Sequence, residues 1–160
     1  GVAACGKVPF IKWVGGKTQL LDEVKRSLPS DLGKRTGLTY EEPFVGGGAV
    51  LFWILQEYPN IERAVINDIN AELICTYRVI KSNVEALIQE LNRIQAEYIS
   101  LGADDRKEYF LSKRALFNSR NISDIETAAL FIFLNRTCFN GLYRVNSKGE
   151  FNVPHGKYDK

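Results

Sequence analysis

The chain has 160 residues, 45% apolar and 25% charged, which excludes a disordered tail, a collagen-like chain and a membrane protein. One domain of ordinary size fits that length and buries about 70% of the surface its unfolded chain exposes, so a core forms without staples. The net charge of +2 decides nothing about a polyanionic partner, but residues 131–160 hold five basic side chains against two acidic ones.

Residues 1–9 read as a loose lead-in. Leu20, Leu21, Val24 and Leu28 recur at helical spacing over 18–28, and Pro29 ends that helix. Residues 39–44 read as a strand running into a glycine turn, and 49–58 as an apolar helix stopped by Pro59. A short buried strand is expected over 63–66, ending at Asn67 and Asp68. A helix follows over 71–80. Ser82 and Glu85 have capping-box spacing for a second over 84–100. Residues 102–105 read as a turn and 106–118 as a helix. Ser123 and Glu126 form another capping box before a helix over 127–134, within which Ala128 to Leu134 is the longest apolar run. Two extended arms, 143–146 and 150–153, around Ser-Lys-Gly give a β-hairpin signal.

The order strand, helix, strand, helices, hairpin predicts an α/β fold. It is a partial Rossmann-like, doubly wound sheet over 1–82, followed over 83–160 by a helical insertion that carries the hairpin. Two parallel strands are too few for such a sheet. Either the chain stops early or a partner completes it.

Cys5, Cys75 and Cys138 are an odd, dispersed set with no C-x-x-C pair, which is neither a disulfide framework nor a zinc site. His155 is the single histidine, so a histidine-based metal site or catalytic triad is not expected. Free thiols and the lack of an apolar leader fit a reducing cytoplasm. The chain contains no methionine, so Gly1 is not an initiator product. Processing, a tag remnant or a fragment would each explain that.

Glu42-Pro43-Phe44-Val45-Gly46-Gly47-Gly48 joins a strand to a helix, where glycines allow a tight turn and bring backbone N–H groups close to a ligand. Asp68 lies 20 residues after Gly48, at the end of the next strand, where a carboxylate can accept both hydrogen bonds of a ribose diol. The dinucleotide fingerprint needs a third glycine where Leu51 stands, which weakens a pyrophosphate reading. The F-x-G-x-G core of methyltransferases is met by Phe44, Gly46 and Gly48. Upstream, Gly16-Lys17-Thr18 suggests a phosphate loop, but Ile11 stands where the Walker pattern needs its first glycine. Trp13 and Lys17 instead suit a ligand lid, with an aromatic face against a base or sulfonium and a cation against a carboxylate.

Taken together, these segments resemble Dam-type (D12 class) DNA adenine-N6 methyltransferases. Pro9 to Lys17 resembles that family's N-terminal cofactor motif, Glu42 to Gly48 its glycine motif, and Ile66-Asn67-Asp68-Ile69-Asn70 its acidic strand end. The longest match runs from Leu134-Asn135-Arg136 through Phe139-Asn140-Gly141-Leu142-Tyr143-Arg144-Val145-Asn146 to Gly149–Pro154 and Gly156-Lys157-Tyr158, and resembles its DNA-reading hairpin. The resemblance implies S-adenosylmethionine as cofactor, held by Trp13, Lys17, Phe44, Gly46, Gly48 and Asp68. It implies double-stranded DNA as partner. Leu142, Arg144 and Pro154 match positions facing the bases of a GATC site. Phe139 matches an aromatic that stacks into the opened duplex, and Asn140, Asn146, Asn152 and Lys157 match positions near the phosphate backbone.

Physical chemistry agrees with those roles. An arginine fork pairs with guanine O6 and N7, worth about 1–3 kcal/mol of discrimination. Leu142 and Pro154 can pack on a thymine methyl, and Phe139 can fill the gap left by a flipped adenine. His155 fits no role here and reads as a pH-sensitive surface residue.

The family's Asp/Asn-Pro-Pro-Tyr catalytic tetrapeptide is absent, because the prolines stand only at 9, 29, 43, 59 and 154. No catalytic residue is therefore expected in this chain, no metal is implied, and the chain alone is expected to be inactive. The reading is the front part of a site-specific adenine methyltransferase, with a C-terminal half or a second copy completing the sheet. The alternative is a truncated or degenerate remnant that binds DNA or assembles without catalysis. A nicotinamide oxidoreductase is a weaker third reading.

Overall fold

The computed structural model describes residues 11–13 and 17–156. Cys5, Lys157 and most of the N-terminal motif lie outside the described residues. The chain divides between Ile69 and Asn70 into two compact units.

In the first unit, a 3₁₀ turn over Lys17–Leu20 leads into α1 (Leu21–Ser27). A parallel pair follows: β1 (Leu38–Glu42), α2 (Ala49–Glu57) and β2 (Ile61–Ile66). Parallel strands need a crossover element, and α2 supplies it. Its apolar sequence buries Val50, Leu51, Trp53 and Ile54, and Pro59 follows its end. The two strands pair from Leu38 opposite Ile61, slip by one residue, and finish with Glu42 opposite Ile66.

The expected buried strand is corrected in one respect. β2 forms, two residues earlier than expected, but Glu62, Arg63, Ala64 and Val65 are all exposed. Composition made Ala64, Val65 and Ile66 look internal. A strand is buried on both faces only when layers cover it, and among the described residues its one strand partner is β1. Among the described residues the sheet is a small parallel pair, compatible with an α/β fold.

The second unit is helical: α3 (Ala71–Ile99), α4 (Ala103–Ser119) and α5 (Asp124–Thr137). The two helices expected over 71–100 are both present and run together as α3 across a kink at Asn83, whose angles are non-helical (φ −155°, ψ 54°). Ser82 does not cap there, because its hydroxyl donates to the Arg78 carbonyl four residues back. The turn expected over 102–105 is shorter. α4 begins at Ala103 with Asp104 and Asp105 in its first turn, where carboxylates suit the positive helix end. Ser123 caps α5 as expected, its hydroxyl accepting from the Glu126 N–H at 3.2 Å.

Helix α5 is the core of this unit. Every residue from Ala128 to Asn135 is buried, which is what an all-round apolar helix requires. α3 packs along it, and Phe110 and Phe117 of α4 insert against Phe133 and Phe131.

The predicted hairpin is a looser feature than two strands. Val145 and Phe151 make one isolated antiparallel bridge, with Asn152 N–H donating to Arg144 O and Asn146 N–H to Glu150 O. A second bridge, Cys138 with His155, closes its base.

No described helix is long and apolar enough to cross a membrane. No group of three or more His, Cys, Asp or Glu side chains able to hold a metal occurs among the described residues.

Candidate functional site

The sequence-predicted residues fall in both units. In the first, the glycine turn after β1 is built by positive backbone angles at Gly46 (φ 52°) and Gly48 (φ 85°), which side-chain-bearing residues rarely adopt. The turn is tied to the end of β2. Val45 N–H donates to Asn67 O at 3.0 Å and Asn67 N–H to Glu42 O at 2.9 Å. Asp68 accepts the Gly46 N–H on Oδ2 at 3.1 Å. Asp68 therefore sits where the spacing placed it, against the turn. Trp13 is there too, since a Cβ built on Gly46 would stand 3.0 Å from Trp13 Cδ1.

Lys17 reaches the same turn from the other side. Its Nζ donates to Glu42 Oε1 at 2.8 Å and also to the Phe44 carbonyl. Glu42 is only 6% exposed, a buried carboxylate that also accepts from the Tyr40 hydroxyl at 2.8 Å. Burial, with that carboxylate beside it, pushes the Tyr40 phenol above its ordinary range. Lys17 is thus a partly exposed ion-pair partner of Glu42. Glu42 was quoted as part of the motif without a role, and its signal was an acid at the end of a strand, next to the glycine turn.

Two apolar side chains stand out at the ends of these strands. Phe44 is 70% exposed and Ile69 is 96% exposed. Phe44 was expected at the site. Ile69 was passed over, although an isoleucine directly after the key acid was the available clue. Exposed apolar residues beside a carboxylate and backbone N–H groups suit a nucleoside, which offers an aromatic base and a ribose diol.

In the second unit, Phe139 (50% exposed), Asn140, Arg144 and Pro154 are exposed, whereas Leu142, Asn146 and Asn152 are partly covered. Asn140 (φ 53°) and Gly141 (φ 61°) form a left-handed turn. Leu142 lines a small recess of about 10 Å³ with Phe117, Phe131, Leu134, Asn135, Tyr143 and Phe151.

The asparagines expected near the phosphate backbone are not alike. Asn146 builds the loop, its Oδ1 accepting from the Lys148 and Glu150 N–H groups at 2.9 and 3.0 Å. Asn152 instead holds Arg144. Arg144 Nε donates to Asn152 Oδ1 at 2.8 Å, and Nη2 to the Asn152 carbonyl at 3.3 Å. The guanidinium is exposed yet fixed at one edge.

His155 is corrected from a surface residue to a packed one. It shares a 2.7 Å hydrogen bond with the Tyr98 hydroxyl and stacks near Phe110. Burial, then Lys107 and Arg106, push its pKa below the ordinary histidine value.

The sequence profile of the "D12 class N6 adenine-specific DNA methyltransferase" family matches residues 13–160, a span that includes both the turn and the hairpin. The chain belongs to that class. Curated relatives carry methyltransferase names. A type II methyltransferase of Methanocaldococcus jannaschii is 49% identical over 152 residues, covering 94% of this chain and 52% of the relative. The DNA adenine methylase of Haemophilus influenzae is 41% identical over 152 residues, with 94% and 47% covered. The DNA N-6-adenine-methyltransferase of Escherichia phage P1 is 41% identical over 149 residues, with 93% and 18% covered. The chain spans about half the length of the first two of these relatives, and less of the third.

Proposed function

We propose that this D12-class chain supplies the S-adenosylmethionine turn and the DNA-reading hairpin of a site-specific DNA adenine-N6 methyltransferase acting on a GATC-like site in cytoplasmic duplex DNA. The observation that carries the reading is the convergence of Trp13, Gly46 and Asp68 from three separate segments.

The residues fit the cofactor. Asp68 would accept hydrogen bonds from the ribose diol, while its bond to Gly46 N–H holds it in place. Phe44 and Ile69 would flank the base and keep water from it, and Trp13 would cover the turn. Lys17 neutralises Glu42 under the turn and steadies the Phe44 carbonyl. When bound, S-adenosylmethionine supplies an electrophilic methyl group.

On the DNA side, Arg144 would read a guanine, with Leu142 and Pro154 against thymine methyls and Phe139 filling the space of a flipped adenine. Asn140, Asn146, Asn152 and Lys157 would lie near the phosphates. A functional boundary at 82/83, between cofactor and target-recognition parts, is supported by the break at Asn83, although the compact units meet at Ile69 and Asn70.

The Asp/Asn-Pro-Pro-Tyr tetrapeptide that would accept hydrogen bonds from the adenine amino group is not in these 160 residues. Direct in-line transfer to N6, without metal or covalent enzyme intermediate, therefore draws on residues outside these 160. The test is transfer of labelled methyl to a GATC duplex by this chain alone and after adding the complementary half of the M. jannaschii relative. The reading expects no product alone and N6-methyladenine with both. No product from two folded, associated halves would contradict it.

A further inference from the structure

The returning arm of the hairpin, residues 149–153, has two edges. One faces the outgoing arm: Asn152 N–H bonds Arg144 O at 3.1 Å, and Glu150 O accepts from Asn146 N–H at 2.9 Å. The other edge presents residues 149, 151 and 153, and each is held by a side chain from the C-terminal end of α4. Arg120 Nη2 donates to Gly149 O at 2.8 Å. Asn118 exchanges two bonds with Phe151, Nδ2 to the carbonyl and Oδ1 from the N–H, both at 2.8 Å. Arg114 Nη1 donates to Val153 O at 3.0 Å. The period of two is that of a strand edge, so α4 takes the place of a neighbouring strand. Asn118 reproduces the two-bond exchange of a backbone pair.

Arg120 shows that this clamp is not incidental. It occupies a left-handed conformation (φ 53°) just past the end of α4, where glycine is the usual residue. Arginine there works against the backbone, yet it spans from Gly149 O to Glu72 Oε1, 3.4 Å away, and so ties the loop to α3. The held arm in turn fixes Arg144, because both acceptors of the Arg144 guanidinium belong to Asn152, the residue between Phe151 and Val153.

We infer that Asn118 and Arg120 are positioning residues for target recognition: they set the aim of Arg144 through the returning arm. The inference rests on the proposed role of Arg144 as a base reader. α4 thereby acts as the rigid mount of the reading element, and residues with no DNA contact of their own control sequence discrimination.

The test uses the full chain in two measurements: the order of the Arg144 Nε–H signal by NMR, and the affinity ratio for a GATC duplex over the same duplex carrying AATT. Arg120→Gly relaxes the left-handed backbone while removing the clamp, so it keeps the fold. Asn118→Asp keeps the acceptor for Phe151 N–H and loses the donor to its carbonyl. Both variants are expected to loosen the Arg144 signal and lower the ratio at least threefold, with affinity for AATT unchanged. Arg144→Ala is expected to bring the ratio to about one. If Arg144→Ala collapses the ratio while both clamp variants keep the wild-type ratio and signal, base reading stands and the clamp inference falls. If Arg144→Ala leaves the ratio at its wild-type value, the base-reading role fails and this inference falls with it.

Discussion

Gly46 meets two demands at once: a φ of 52°, and a Trp13 ring atom 3.0 Å from where a Cβ would sit. Alanine there strains the backbone by about 1–2 kcal/mol and displaces the indole. Gly46→Ala is expected to lower unfolding stability by about that amount in urea titrations, and to weaken nucleoside binding more than the stability loss explains. At His155 the folded-state pKa lies below the unfolded value of 6.5, so the unfolded chain binds more protons as pH falls. The stability that His155 contributes is full above the unfolded pKa and declines as pH drops below it. Melting temperatures are expected to fall between pH 7.5 and 5.5, and His155→Phe is expected to flatten that part of the profile. A variant that keeps the wild-type slope would contradict this assignment. The glycine turn and its acid were legible in sequence because the motif is local and the acid lies one crossover away. The His155 pairing was not, since its partner Tyr98 is 57 residues distant and only the fold joins them.

At the scale of elements, helices were read from apolar period and punctuation, and these survive in α2, α4 and α5. What failed was what tertiary context decides. Ser82 had the spacing of a cap but bonds backward to Arg78, although the two helices it was read to separate do part at Asn83. Ser123, with the same spacing, does cap. Ser123→Ala is therefore expected to cost about 1 kcal/mol in chemical denaturation, and Ser82→Ala close to nothing. The core helix α5 carries the larger stake. Phe133 packs edge-on against both Tyr98 and Tyr109, and Phe133→Ala is expected to cost about 3–5 kcal/mol. The hairpin was placed correctly from its glycine loop, but its anchoring was invisible, because Arg114, Asn118 and Arg120 meet partners 39, 33 and 29 residues away that only the fold brings to them.

For the whole molecule, the decisive fact is that the described residues form a two-stranded parallel sheet, in a chain about half as long as its first curated relatives. The exposure of Val65 and its neighbours on β2 follows, since burial of a parallel strand depends on layers that these residues do not supply. Sequence composition announced a buried strand, and no local signal marks whether other layers cover it. An uncovered edge favours association. Sedimentation is expected to show concentration-dependent self-association of the chain, reduced by Val65→Lys. A monomer at all concentrations would mean the edge is protected in some other way. The central claim is that Trp13, Gly46 and Asp68 make a cofactor site. Calorimetric titration of the chain with S-adenosylmethionine, with NAD as control, tests it most directly. The account predicts saturable binding of S-adenosylmethionine alone, weakened at least tenfold (about 1.4 kcal/mol) by Asp68→Ala. A folded chain that gives no saturable heat, or binds equally well without the Asp68 carboxylate, would contradict it.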